Sequence, residues 1–304
     1  MAAVTVKAVG VKTYGTGDVT YTVPVTYSAN DIGVLFIETG ASATISVNET
    51  WAEITGSPKT ATNTILHVWW KRLTGAEVSP VATQGGTIDH QCGVMILLAG
   101  CVTAGNPWSV IGSAVETTVD TSVAVTGATT DVDNCLVLAA ATSSYDSDTG
   151  QGTGAPVNAD LAGIKYEANY NTKMGNGGGV IVCSGTKVVA GAYTTTTFTL
   201  SQASDKGLMS IAFKPLLSTA TYSLVCLPGA YALAGQAVTL LYTRIVTLAA
   251  GAYVLTGTDI ELKLGYSMTG SGGGVGGGSS PNSGTGGLVW IPLTPSTTVW
   301  TTVT

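Results

Sequence analysis

An all-β protein is predicted by three features of this 304-residue sequence. Charged residues are only 10% of the chain, against about 25% in an ordinary globular protein, so little is left to solvate helical surfaces. Valine, threonine, alanine and serine fill much of the rest, and β-branched residues suit the pleated surface of a strand. Short alternating or wholly apolar runs recur at spacings of about 10–25 residues, punctuated by Gly, Pro, Asn and Asp. Residues 1–217 are therefore expected to form a β-sandwich, jelly-roll-like in its strand spacing.

The first strands are legible from the N-terminus onward. Residues 4–11 (VTVKAVGV) and 19–27 (VTYTVPVTY) alternate with period two, so each sends one set of side chains to each face. Residues 33–39 (GVLFIET) read as a buried strand. In 64–73, Ile65, His67, Trp69 and Lys71 share one face, and Leu66, Val68, Trp70 and Arg72 the other. Residues 92–100 (CGVMILLAG) are apolar on both faces and suit a central strand. Strands at 121–127, 135–142, 179–187, 195–201 and 207–215 complete the set. The stretch 157–170 is the one helix candidate; it lacks capping residues and is assigned to loop and strand. Lys214-Pro215 closes the block, and 216–221 connects it to the terminal region.

That terminal region is repetitive. GAYALAGQAVTLLYT (229–243) aligns with GAYVLTGTDIELKLG (251–265), a period of 22. Residues 222–269 are read as two β-hairpin repeats, neither able to bury its own apolar face. Residues 270–287 are a Gly/Ser-rich linker by composition. Residues 288–304 carry a second duplication, with Val289-Trp290 lying over Val299-Trp300. Repeated strands of this kind imply elements built to pair, and Tyr231, Tyr253, Trp290 and Trp300 are the expected assembly residues.

Few residues point to chemistry. Net charge is −6, and the 12 Lys and Arg are scattered rather than clustered, which excludes the cationic footprint of a nucleic-acid binder. The N-terminus lacks a signal-peptide pattern, and no apolar run reaches the roughly 18 residues of a membrane helix. Synthesis in a cytoplasm without membrane insertion is expected. The five cysteines (Cys92, Cys101, Cys135, Cys183 and Cys226) form no paired spacing and read as buried thiols. His67 is assigned to packing. Asp89 and His90 would diverge if they lay on a strand, so no metal or catalytic site is assigned there. Glu38, Glu49, Glu53, Glu116 and Glu167 stand isolated, and no acid–base pair is evident. Asp146 and Asp148 sit in a turn resembling a calcium loop, but Gly150 occupies the third ligand position; they are weak metal candidates. The glycines of 169–180 are read as a wide turn or close backbone packing. Neither a cofactor nor catalysis is expected. Trp51, Trp108, Tyr166 and Tyr170, with Trp69 and Trp70, are candidate sugar-stacking residues.

The stretches LHVWWKRLTGAE, SAVETTVDTSVAVTGATTDVDNCLVLAAAT, GNGGGVIVCSGTKVVAGAYTTTTFTL and ASDKGLMSIAFKP resemble a domain of tailed-bacteriophage virion proteins. The GAYALAGQAVTL units and the terminal W-x-x-x-T-P-S-T-T-x-W-T ending resemble repeats of similar proteins. The resemblance implies a structural part of the particle, either a tail-fibre or tail-tip component or a capsid decoration protein. Its partners would be copies of itself, a homotrimer being the expected form, and other virion proteins. A carbohydrate-binding adhesin that contacts a host surface glycan and a polysaccharide hydrolase are the alternatives.

Overall fold

A computed structural model describes residues 3–48 and 50–216, together with the backbone of four short strands in the terminal region. The chain divides into two compact units, Met1–Thr219 and Ala220–Thr304. The described residues contain strands and no helix, and the fold is all-β.

The first unit begins with β1 (Thr5–Val9), β2 (Thr13–Gly15), β3 (Asp18–Thr20), β4 (Ile32–Gly40) and β5 (Ala43–Val47). It continues with β6 (Ala52–Glu53), β7 (Lys59–Thr60), β8 (Thr64–Arg72), β9 (Val81–Gly86) and β10 (Gln91–Ala99). The main path of their large sheet runs β1-β10-β4-β8-β6, and a small sheet, β3-β9-β5, lies apart from it. Next come β11 (Trp108–Val125), β12 (Thr129–Thr130), β13 (Cys135–Ser143) and β14 (Gly152–Val157). They are followed by β15 (Ala162–Thr172), β16 (Gly178–Lys187), β17 (Gly191–Ala192) and β18 (Thr196–Phe213). Here the main path is β11-β18-β13-β16-β15, with β14 on the far part of β18.

These two orders are the same order. β1, β10, β4, β8 and β6 correspond to β11, β18, β13, β16 and β15. The small sheet β3-β9-β5 corresponds to the far ends of β11 and β18 with β14. One half makes its two layers from separate strands. The other makes them by bending the 18-residue strands β11 and β18, whose register shifts between Glu116 and Ser122. Asn30 and Asn134, both at positive φ (71° and 58°), stand two residues ahead of Ile32 and Leu136, the first inward residues of β4 and β13. Asparagine tolerates that left-handed geometry better than most residues. The described residues of the first unit thus form a β-sandwich-like fold of two topologically equivalent halves that share one core. Each large sheet is drawn from one half alone.

Period-two alternation builds the layers. Ile32, Val34 and Phe36 of β4 join Leu66, Val68, Val94 and Ile96 in a core shared with Leu138, Val182, Met209 and Ile211 of the other half. This is the seam between halves. Leu35 and Ile37, on the opposite face of β4, pack with Tyr21, Trp51, Leu73 and Met95 under the small sheet. Ala139, Ala141 and Ile181 do the same beneath Val123, Phe198 and Leu200. The central strands are buried on both faces, which is why they read as continuous apolar runs.

In the second unit β19 (Tyr231–Leu233) pairs parallel with β20 (Tyr253–Leu255), and β21 (Leu288–Thr294) pairs antiparallel with β22 (Thr297–Thr302). The turn and return strand expected within each 22-residue repeat, and the linker 270–287, lie outside the described residues.

Candidate functional site

The seam ends in a cluster of buried charge. Glu38 continues the inward face of Ile32, Val34 and Phe36, so period two delivers its carboxylate between the sheets, where it is fully buried. Residues 87–90 form no strand, and alternation does not apply there. Asp89 and His90 therefore converge, against expectation. His90 Nδ1 lies 3.0 Å from Asp89 Oδ2, and Nε2 lies 3.0 Å from Glu38 Oε2. Thr64 donates to the second Glu38 oxygen at 2.8 Å.

The opposite half completes the cluster. The backbone N–H of Asn176 donates to both Asp89 oxygens, at 3.0 and 3.2 Å. The glycines around it do what close packing requires. A Cβ at Gly178 would collide with both Glu38 oxygens, and one at Gly175 with the Asp89 carboxylate. Gly175 also holds φ at +59°. Gly175→Ala is expected to cost about 1–3 kcal/mol through strain and overpacking. Calorimetry checks this, at roughly 2–4 °C of Tm per kcal/mol for a unit of this size.

The contact is reciprocal. Asp205, just after the bend of β18, accepts the backbone N–H of Asn63 at 2.6 Å. Asn63 precedes β8 as Asn176 precedes β16. Each half thus sends an aspartate to a backbone N–H ahead of its neighbour's equivalent strand, the pattern of an isologous interface. Each aspartate is also followed by a buried cation. His90 is one, and Lys206 is the other, placed 2.9 Å from Asp120 and 3.1 Å from Glu116 across the bend. Lys206 holds the Asp120 carboxyl below its usual range.

Burial alone would lower the His90 pKa, but hydrogen bonding and charge from Glu38, then Asp89, outweigh it and hold the ring at about 9. Burial raises Glu38, against the opposing pull of His90 and Thr64. His90 is therefore an imidazolium at neutral pH, both nitrogens donating to carboxylates. Neither nitrogen is left to activate a nucleophile or bind a metal, and the ring is only 1% exposed. The cluster's chemistry is that of an ionic lock between halves.

The other candidates fall elsewhere. Trp51 is buried in the core of the first half and cannot serve as a stacking face. Trp108 stands edge-on to Trp70, with centroids 4.9 Å apart, and packs against the seam. Tyr166 and Tyr170 are divided by a bulge between Tyr166 and Ala168. That bulge puts Tyr166 against Phe198 on the outer layer and Tyr170 against the seam core. Asp148 pairs with Lys173 near solvent at 3.4 Å, and Asp146 lies against Gly177. Among the described residues no cluster of three His, Cys, Asp or Glu side chains is suited to a metal. Cys92, Cys101, Cys135 and Cys183 are buried free thiols, and burial raises the pKa of all four. Cys226 lies outside the described residues. In the backbone register Tyr231 stands opposite Tyr253 and Trp290 opposite Trp300, both within one chain.

Sequence reasoning missed the lock because it treated Glu38 as isolated and 87–90 as strand. A signal was present: Asp-His at 89–90 and Asp-Lys at 205–206 each precede a Gly-aliphatic-Met run. Comparison of the chain with known protein families, curated proteins and solved structures finds no match.

Proposed function

We propose that the chain is a non-enzymatic structural protein of a tailed-phage particle. It sits on the virion as a tail-fibre, tail-tip or capsid decoration component and assembles through its terminal strands. The observation that carries this reading is that in each duplication a strand of one copy pairs with a strand of the other: in parallel at three equivalent positions, Tyr231–Leu233 with Tyr253–Leu255, and antiparallel with Trp290 opposite Trp300. A segment that recognises its own sequence is suited to joining copies. The first unit supports the same reading, since its buried charges are committed to holding two halves together. The adhesin and hydrolase alternatives receive no comparable support: the candidate aromatics pack inward and the histidine cluster is sealed.

The test is fractionation of lysed cells producing the particle, with gold-labelled antibody against residues 3–216. The chain should sediment with tailed particles and label them at a fixed position, and removing 288–304 should prevent this while the first unit stays folded. A chain that remains in the particle-free supernatant, or that cleaves polysaccharide, would overturn the proposal.

A further inference from the structure

The sequence contains a single Asn-Gly step, Asn176-Gly177, and it lies on the seam lock. Asparagine before glycine is prone to spontaneous ring closure, because glycine has no Cβ to hold its nitrogen away from the side-chain amide. Asn176 is exposed, so water reaches it. Its backbone, however, is held. The Asn176 N–H donates to both Asp89 oxygens at 3.0 and 3.2 Å. The Gly177 N–H donates to the Met174 carbonyl at 2.9 Å, closing a turn in which Gly175 and Gly177 keep φ at +59° and +71°. The nitrogen that would attack is therefore engaged while the lock is closed.

Ring closure joins the Gly177 backbone nitrogen to Cγ of Asn176 and expels the side-chain nitrogen as ammonia, which carries off the Gly177 amide proton. Water then opens the imide at either carbonyl. One product is an aspartyl residue; the other is a β-linked aspartyl residue whose backbone is one carbon longer. No oxidant, metal or second protein is required. Both products oppose the lock. Each adds a carboxylate beside Asp89, where Asp89 and Glu38 already share the one imidazolium of His90. The longer backbone has no room, since even a Cβ would overlap Asp146 at Gly177, Glu38 at Gly178 and the Tyr170 carbonyl at Gly179. We propose that Asn176 is a self-modifying site: it loses ammonia when the seam opens locally, and the product keeps the lock from closing again. This goes beyond the structural role above and does not rest on it.

The test is to hold the purified full chain warm at mildly alkaline pH for weeks and to follow the peptide containing Asn176 by mass spectrometry. The amide should become an acid, with a β-linked fraction that elutes separately. The rate should track the population of the open state, so Asp89→Ala should raise it about tenfold or more. If Asp89→Ala fails to fold, wild type in urea replaces it and should show the same acceleration over the folded chain. Hydrogen exchange in β4 and β16 should be faster in aged wild type than in fresh, and unchanged by ageing in Asn176→Gln, which keeps the backbone N–H. An aged wild type unmodified at Asn176, a rate indifferent to Asp89 or to urea, or a modified chain that exchanges like the fresh one would each overturn the inference.

Discussion

His90→Ala is expected to destabilise the first unit by about 3–5 kcal/mol, because it leaves the buried Glu38 carboxylate without its cation. The deficit should shrink at acid pH, where Glu38 takes up a proton, and the Glu38→Gln/His90→Gln pair should recover part of it. The wild type carries a related pH dependence. The folded His90 pKa of about 9 lies above its ordinary 6.5, so its contribution is complete below pH 6.5 and disappears as pH rises through 9. Its size is of order 3 kcal/mol. Urea unfolding at pH 7 and pH 10 measures it. The wild type should lose stability between the two, and the double-glutamine variant should lose distinctly less. Equal losses would remove His90 from the account.

Phe36→Ala should cost a similar amount, about 3–5 kcal/mol, since the ring is fully buried in the seam core. Its location decides how the loss is distributed. The seam core draws on both halves, so hydrogen exchange should accelerate in β13 and β16 as well as in β4. Acceleration confined to residues before 102 would mean that the halves fold independently and that the seam is only a contact.

The central strands could be read directly because burial on both faces leaves a continuous apolar run: β4, β10, β13 and β16 fall within a residue or two of expectation. Runs broken by polar residues were harder. Residues 195–201 and 207–215 looked like two strands, yet β18 is continuous through Ser-Gln-Ala-Ser-Asp-Lys. Lys206 keeps that stretch extended by pairing with Glu116 and Asp120 on β11. The strand expected over 19–27 stops at Thr20, four residues short of Pro24. The equivalence of the two halves is hidden in the sequence because matching positions differ in size. Phe36 and Ala140 occupy matching places in β4 and β13. The shared Gly-aliphatic-Met motif also sits one residue out of phase, Val94 facing the seam and Leu208 the outer layer. A bulge of one residue was enough to separate Tyr166 from Tyr170, and no local pattern of residues marks it.

What unites these features is a division of labour. The first unit commits its ionic groups and apolar faces internally, while the terminal repeats pair with their own kind. Light scattering on the full chain and on residues 1–219 alone tests that division most directly. The account predicts a closed oligomer for the full chain and a folded monomer for 1–219; a monomeric full chain, or the same oligomer from both, would contradict it.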